Sequence, residues 1–123
     1  MTTALEIAFA DIAVADLSTM PKAVCDELPF GVIGIDRLGI AQVYNATEAR
    51  LAGLSASAVI GVPFFEVVAQ CMNNFMVAQR FEEDEEVNEI VPFVLTLRMR
   101  PTPVRLRLLA SPSEPLRFVL IER

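Results

Sequence analysis

The chain has 123 residues, of which 54% are hydrophobic and 21% charged, and its formal net charge at pH 7 is −6. This length is enough for one domain with a substantial core. The acidic balance disfavours nucleic acid and anionic membranes as partners, and no apolar run approaches the roughly 20 residues of a membrane span. The first residues do not resemble a secretory signal. We therefore expect one cytoplasmic globular domain that binds neither nucleic acid nor a membrane.

Missing residue types exclude several kinds of catalytic and metal site. The chain has no histidine, so it lacks a Ser-His-Asp triad, a Cys-His pair and histidine ligands for zinc or haem. Its two cysteines, Cys25 and Cys71, lie far apart and form no CxxC motif. No glycine-rich phosphate-binding motif occurs, and the acidic run at 82–89 is typical of a solvated helix end. We predict that the chain is not an enzyme.

The first part of the chain predicts a short helix followed by a β-hairpin. Residues 10–20 are expected to form the helix, with Asp11 as its N-cap. Two β-rich runs follow at 30–36 and 39–44, and the Arg-Leu-Gly at their junction is typical of a tight turn. The two runs are therefore expected to pair as antiparallel strands.

The middle of the chain predicts helices of unequal length. One helix is expected to begin after its N-cap, Asn45, and to end at Gly53. Glycine and proline should divide the stretch 55–71 into a turn and one or two helical turns. A longer helix is expected over 74–86. The residues predicted for its buried face are Phe75, Val77, Ala78 and Phe81.

The last third of the chain predicts three strands, at 90–100, 103–110 and 116–122. The residues of the first that are expected to face the core are Phe93, Leu95, Leu97 and Met99. In the second strand, Val104, Leu106 and Leu108 alternate with Arg105 and Arg107. Two strands, a helical crossing and three further strands indicate an α+β fold, in which one antiparallel sheet carries helices on one face.

Three stretches of the chain carry motifs that point to a known family. They are LPFGVIGIDRLGIAQVYNATE at 28–48, VIGVPFFEVVAQC at 59–71 and MRPTPVRLRL at 99–108. They are similar to the first hairpin, the cysteine-containing segment and a strand of the photoactive yellow protein family of bacterial blue-light receptors. The resemblance covers nearly the whole chain. It implies a PAS domain with a five-stranded sheet, in which 1–28 form an N-terminal helical cap and 29–123 the PAS core.

The resemblance also implies a chromophore and a set of residues that hold it. In that family a cysteine carries p-coumaric acid (4-hydroxycinnamic acid) as a thioester, and a tyrosine and a glutamic acid hydrogen-bond its phenolate oxygen. The matching residues here are Cys71, Tyr44 and Glu48. Burial in an apolar wall would favour the protonated Glu48 that such a hydrogen bond requires. The other positions assigned to the pocket are Leu54, Phe64, Val68, Ala69, Leu95, Leu97 and Met99.

Several pocket positions depart from the family pattern. Ala52 stands where the family usually has a threonine that bonds the tyrosine, and Leu54 where it has an arginine that covers the ring. Gln70 and Met72 replace the residues on either side of the cysteine. Met99, in contrast, matches the methionine that assists the return of the chromophore to its dark geometry. The departures indicate a spectrum and a cycle rate that differ from those of typical members.

The function implied is light reception followed by signal transduction. After photoisomerisation, Glu48 would give its proton to the phenolate, and the fold would relieve the cost of the buried carboxylate by loosening near the N-terminal segment. A downstream signalling protein of unknown identity would detect the change, and the chain is expected to be a monomer or weak homodimer. Two alternatives remain open. One is a PAS interaction, oligomerisation or ligand-binding module without a chromophore; the other is a redox sensor that uses Cys71 or Cys25.

Overall fold

A computed structural model describes residues 8–96 and 100–123 of the chain. Its five strands are β1 (Gly31–Ile35), β2 (Ala41–Tyr44), β3 (Val87–Leu95), β4 (Thr102–Ala110) and β5 (Arg117–Glu122). They form one antiparallel sheet in the order β2-β1-β5-β4-β3. The predicted five-stranded antiparallel sheet is therefore confirmed, although β3 begins three residues earlier than the sequence suggested, at Val87 rather than at residue 90.

Short helices occupy the connections before and between the strands. They are α1 (Val14–Thr19), α2 (Lys22–Asp26), α3 (Ala46–Ala52), α4 (Ala56–Val59) and α5 (Ala78–Glu83). A π-helical turn at Phe64–Val68 and a 3-10 turn at Gln70–Met72 lie between α4 and α5, so the predicted division of the stretch 55–71 is confirmed. Among the helices of the described ranges, none has the length and apolar character needed to cross a membrane.

The first helix differs from its prediction in its beginning and its cap. The helix α1 begins at Val14 with Ala13 as its N-cap, so the prediction of Asp11 was wrong. Asp16 rather than Asp11 provides the side-chain hydrogen bond at this end of the helix, because its Oδ2 accepts a hydrogen bond of 3.3 Å from the backbone N–H of Ala13. An acid in the first turn of a helix also interacts favourably with the helix dipole.

The helix predicted over 74–86 is shorter than expected. The side chain of Asn74 accepts hydrogen bonds from the backbone N–H groups of Met76 (2.9 Å) and Val77 (3.3 Å) and holds the chain in a turn. The helix α5 therefore starts only at Ala78, and Phe75, which was predicted to be buried, has 71% of its surface exposed.

Both faces of the central sheet are covered, because alternate residues of each strand point to opposite sides. On β5, Val119 and Ile121 belong to an inner cluster on the side of α3–α5, and Phe118 and Leu120 to an outer cluster. The outer cluster is completed by the N-terminal segment. Its members from that segment are Phe9, Ile12, Leu17, Cys25 and Leu28.

Arg107 on β4 fastens the N-terminal segment to the outer face. The alternation on β4 placed this arginine away from the inner core, and it does lie on the outer face, but it is buried. Its guanidinium donates hydrogen bonds to the backbone carbonyls of Phe9, at 3.0 Å, and Ile12. A buried charge needs such partners, so the contact ties the N-terminal segment to the sheet.

Asn45 connects three elements of the fold. Its Oδ1 accepts from the N–H of Glu48, as predicted for an N-cap, and also from the N–H of Val32 on β1, both at 3.0 Å. Its Nδ2 donates to the carbonyl oxygens of Cys25 (2.9 Å) and Phe30 (3.1 Å). The predicted end of α3 is confirmed as well, since Gly53 has a left-handed φ of 75°.

We expect Asn45→Ala to lower the free energy of unfolding by about 3 kcal/mol or more, because it leaves several buried backbone groups without partners. Ser55 is a matched control, because it is the N-cap of α4 but accepts no capping hydrogen bond. Ser55→Ala should cost less than about 0.5 kcal/mol. Urea unfolding of the three proteins provides the comparison, and equal losses in the two variants would contradict this role of Asn45.

Candidate functional site

The residues predicted to form the pocket come together on the helical side of the sheet. Tyr44, Phe64, Ala69 and Leu95 belong to the inner cluster, and Leu54, Val68 and Cys71 pack against it as partly buried residues. Glu48 lies in the first turn of α3 and is also buried. Leu97 and Met99 lie outside the described residues.

Cys71 sits at the border of the inner cluster. It is the central residue of the 3-10 turn, its side chain is partly exposed, and its thiol is free. The turn is held by Asn74, whose Nδ2 donates to the carbonyl oxygen of Cys71 at 2.9 Å. Cys71 therefore lies between the apolar inner cluster and the surface of the protein.

Cys25 has a different environment on the other face of the sheet. It is buried in the outer cluster, and this burial, together with the negative charge of Asp26, raises the pKa of its thiol to about 11. At neutral pH the thiolate is therefore scarce. Cys25 consequently lacks the property that a redox-sensing cysteine requires.

The π-helical turn positions the aromatic and small residues of the site. The turn is closed by a hydrogen bond of 2.9 Å from the N–H of Ala69 to the carbonyl of Phe64. The segment is also bonded to the β-hairpin, because the N–H of Phe64 donates to the carbonyl of Gly39, at 2.9 Å. Phe64 and Ala69 are fully buried as a result. Such wide turns are rare in proteins and occur often at functional sites.

Tyr44 is the last residue of β2, and only 4% of its surface is exposed. Burial, reinforced by the nearby charge of Glu48, raises the pKa of its hydroxyl above the usual value for tyrosine. The hydroxyl is therefore a neutral hydrogen-bond donor at physiological pH. Within 8–96 and 100–123, no residue forms a hydrogen bond with it, and the buried Ala52 has no hydroxyl to offer.

Glu48 is 1% exposed and forms an ion pair that the sequence did not predict. Its Oε1 accepts from Nη1 of Arg123 at 2.7 Å, and its Oε2 accepts from Nη2 at 3.1 Å. Two parallel bonds between a guanidinium and a carboxylate are a strong, directional arrangement. The structure thus places a cation against Glu48, whereas its burial alone predicted a protonated acid.

Gly31 provides the space in which this carboxyl group lies. A Cβ atom at Gly31 would be 2.1 Å from Oε1 of Glu48 and 3.1 Å from its Cβ, so no other residue fits without displacing the glutamate. Gly31 pairs with Ile121 on β5, two residues before Arg123. The strand register thus brings the glycine, the glutamate and the arginine to the same end of the sheet.

Sequence reasoning missed Arg123 and Gly31 as parts of the site. Arg123 is 75 residues from Glu48 in the chain, so no local spacing connects the two. A glycine within the β-rich run 30–36 was a signal of close approach by another group, but the sequence did not identify that group.

An open cleft of about 230 Å³ lies elsewhere, between the β1–β2 hairpin and α5. Its lining includes Leu38, Phe65, Phe81 and Arg117. None of the predicted site residues within the described ranges lines it. The cleft is therefore separate from the Tyr44–Glu48–Cys71 region.

We expect Gly31→Ala to destabilise the protein by about 1–3 kcal/mol, because the new methyl group must displace the Glu48 carboxyl group. The measurement is urea unfolding of Gly31→Ala in the parent and in a Glu48→Ala background. The cost should fall in the second background, where the clashing atoms are gone. An equal cost in both backgrounds would show that Gly31 does not serve to accommodate Glu48.

Comparisons with known proteins agree with this architecture. A family model described as the PAS fold matches residues 19–114. Photoactive yellow protein of Rhodothalassium salexigens is 30% identical over 110 residues, which are 87% of this chain and 88% of that protein. The protein of the same name from Halochromatium salexigens is 28% identical over 110 residues, with the same coverage of both chains.

A solved structure of a photoactive yellow protein domain is similar to this chain in both sequence and fold. The crystal structure of the photoactive yellow protein domain from the sensor histidine kinase Ppr of Rhodospirillum centenum is 29% identical to this chain. It superposes with a TM-score of 0.80 and covers 89% of this chain and 98% of that domain. The chain belongs to the photoactive yellow protein family, whose fold is the PAS domain.

Proposed function

We propose that the chain is a blue-light photoreceptor that carries p-coumaric acid as a thioester on Cys71. Its PAS fold and its family support a sensory role. The observation that carries the finer proposal is the convergence of three side chains from separate elements. Cys71 and Tyr44 contact the same inner cluster, and the charge of Glu48 acts on Tyr44.

The side chains present fit a hydroxycinnamoyl group. The thiol of Cys71 is partly exposed and unpaired, so an activated acid can reach it, and the Tyr44 hydroxyl retains its capacity to donate within the described part of the chain. When bound, the chromophore would supply light absorption and a double bond that isomerises. The residues that would exclude water and so protect the thioester are Leu54, Phe64, Val68, Ala69 and Leu95.

Tyr44 and Glu48 would have different tasks at the phenolic oxygen. Tyr44 stays neutral and donates a hydrogen bond. Glu48, whose two oxygens accept from Arg123 in the structure, would take up a proton when the chromophore binds and release it after light absorption. The parts assigned to Leu97, as a wall residue, and to Met99, in the return to the dark state, rest on the family resemblance and remain proposals.

Hydrogen bonds provide a route from Glu48 to the N-terminal cap, which we propose comprises 1–28, with the PAS core at 29–123. The first turn of α3 is bonded to α2 and the segment after it. The N–H of Ala46 donates to Oδ1 of Asp26 at 2.8 Å, and the hydroxyl of Thr47 donates to the carbonyl of Leu28 at 2.5 Å. A change in the charge of Glu48 therefore acts on the helix turn to which the cap is attached.

The loosened cap would then be recognised by a downstream signalling protein. One solved relative is a domain of a sensor histidine kinase, which supports a signalling protein as the partner. We propose that the chain itself is cytoplasmic, is not an enzyme, binds neither nucleic acid nor a membrane, and is a monomer or weak homodimer.

One observation favours the alternative of a PAS interaction module without a chromophore. Both carboxylate oxygens of Glu48 already have donors from Arg123, so the buried acid is satisfied by the protein alone. A redox sensor at Cys25 is disfavoured by the raised pKa of that thiol. Whether the protein loads with the chromophore distinguishes the photoreceptor from the interaction module without a chromophore.

Cys71→Ala should abolish the visible absorption band after reconstitution with activated p-coumaric acid, because the thioester needs this thiol. Cys25→Ala is the matched control and should retain the band, since Cys25 lies on the other face of the sheet. Absorption spectroscopy and mass spectrometry measure loading, and the parent should gain one p-coumaroyl group. Equal loading of the two variants would refute the assignment to Cys71.

Glu48→Gln should shift the band to longer wavelength and alter the photocycle. The amide still donates a hydrogen bond but has no acidic proton to transfer. The spectrum and flash-induced kinetics of the reconstituted variant provide the measurement. If both equal those of the parent, Glu48 is not in contact with the chromophore.

A further inference from the structure

The guanidinium of Arg123 contacts Glu48, but the pocket predicted from the sequence did not include this residue. We propose that Arg123 is the counter-cation of the light-sensing site, which binds the Glu48 carboxylate each time the proton leaves that residue. This inference rests on the proposed function. It adds a residue that sets how long the light state lasts.

The contacts of Arg123 place its guanidinium directly against the Glu48 carboxyl group. Its side chain is only 19% exposed and makes both of its bonds to the carboxyl group of Glu48, whose side chain is 2% exposed. A buried carboxylate without a partner is strongly unfavourable. Since Gly31 leaves room for Glu48 beside the end of β5, the arginine reaches the carboxylate without a rearrangement of the sheet.

Three other arginines whose contacts the structure describes bind groups other than Glu48. Arg107 binds backbone carbonyls of the N-terminal segment, Arg105 pairs with Glu122, and Arg80 pairs with acids near α5. Leu54, at the border of the inner cluster, stands where the family usually has an arginine, and its apolar side chain supplies no charge. Within the described ranges, Arg123 is the cation that contacts Glu48.

The charges of the site balance around Arg123 in both states. In the proposed dark state Glu48 would be neutral and the phenolic oxygen of the bound group would carry the negative charge. After light, Glu48 would give one proton from its carboxyl group to that oxygen and would become the anion. The total charge would not change, but the negative charge would move onto the carboxyl group that Arg123 contacts.

This arrangement has a kinetic consequence. Arg123 stabilises the ionised Glu48 of the light state more than the neutral carboxyl group of the dark state. Its removal should therefore raise the energy of the light state and accelerate dark recovery. A residue that only packs against the fold would change the stability of the protein without this selective effect on recovery.

The first arm of the test uses the protein before reconstitution. Thermal unfolding is measured for Glu48→Gln, Arg123→Gln and the double variant. Arg123→Gln should lower the melting temperature by about 10 °C, and the double variant should lose much less than the sum of the single losses. Arg50→Gln removes the same charge from an exposed position on α3 and should have little effect. Additive losses would overturn the ion pair.

The second arm uses the reconstituted proteins after a flash. Arg123→Gln should recover about tenfold faster than the parent, Arg123→Lys should lie between them because it keeps the charge but not the paired bonds, and Arg50→Gln should match the parent. Recovery of both Arg123 variants at the parent rate would overturn the inference while the proposed function stands. A parent that does not load with p-coumaric acid would overturn the proposed function, and the first arm would still decide whether the ion pair exists.

Discussion

A carboxyl group buried as deeply as that of Glu48 must be protonated or paired, because an isolated charge is costly away from water. Much of the surrounding structure serves this requirement. Asn45 fixes the helix turn that carries the glutamate, Gly31 leaves the volume for its oxygens, and Arg123 supplies two donors. The buried acid therefore has a cation as its partner, and the neutral Tyr44 lies nearby.

The sheet separates the site from the surface that would report its state. The inner cluster holds Tyr44 and borders Cys71, and the outer cluster holds the N-terminal segment. The two are linked at one end, where Asn45 and Thr47 bond to backbone carbonyls at and after α2. Because these bonds originate from the same helix turn as Glu48, they are the path by which a charge change on the inner side would reach the proposed cap.

Local signals in the sequence predicted local structure well. The N-cap at Asn45 and the end of α3 at Gly53 were found because a cap depends on residues within one turn. Phe75 was misassigned since an apolar residue at helical spacing was weighed above the turn-forming Asn74. Asp11 was chosen as a cap by residue type, although the structure uses Asp16. Arg107 was placed on the correct face, but the sequence did not show that the N-terminal segment covers it.

The long-range parts of the site could not be predicted in the same way. Tyr44, Glu48 and Cys71 were assigned to the site through motifs shared with a family, whereas Arg123 depends on how the register of β5 against β1 places the end of the last strand. Nothing in the residues around position 123 specifies that contact. The pairing of a buried acid with a distant arginine emerges only when the sheet is assembled.

The most direct test of the central claim is the light-minus-dark infrared difference spectrum of the reconstituted protein. If Glu48 gives up its proton after light absorption, the spectrum should show loss of the carbonyl band of one protonated carboxyl group and gain of a carboxylate band, and both should vanish in Glu48→Gln. A photocycle that leaves the carboxyl region unchanged, or that changes it equally in the variant, would contradict the role of Glu48 as the proton-holding residue of the site.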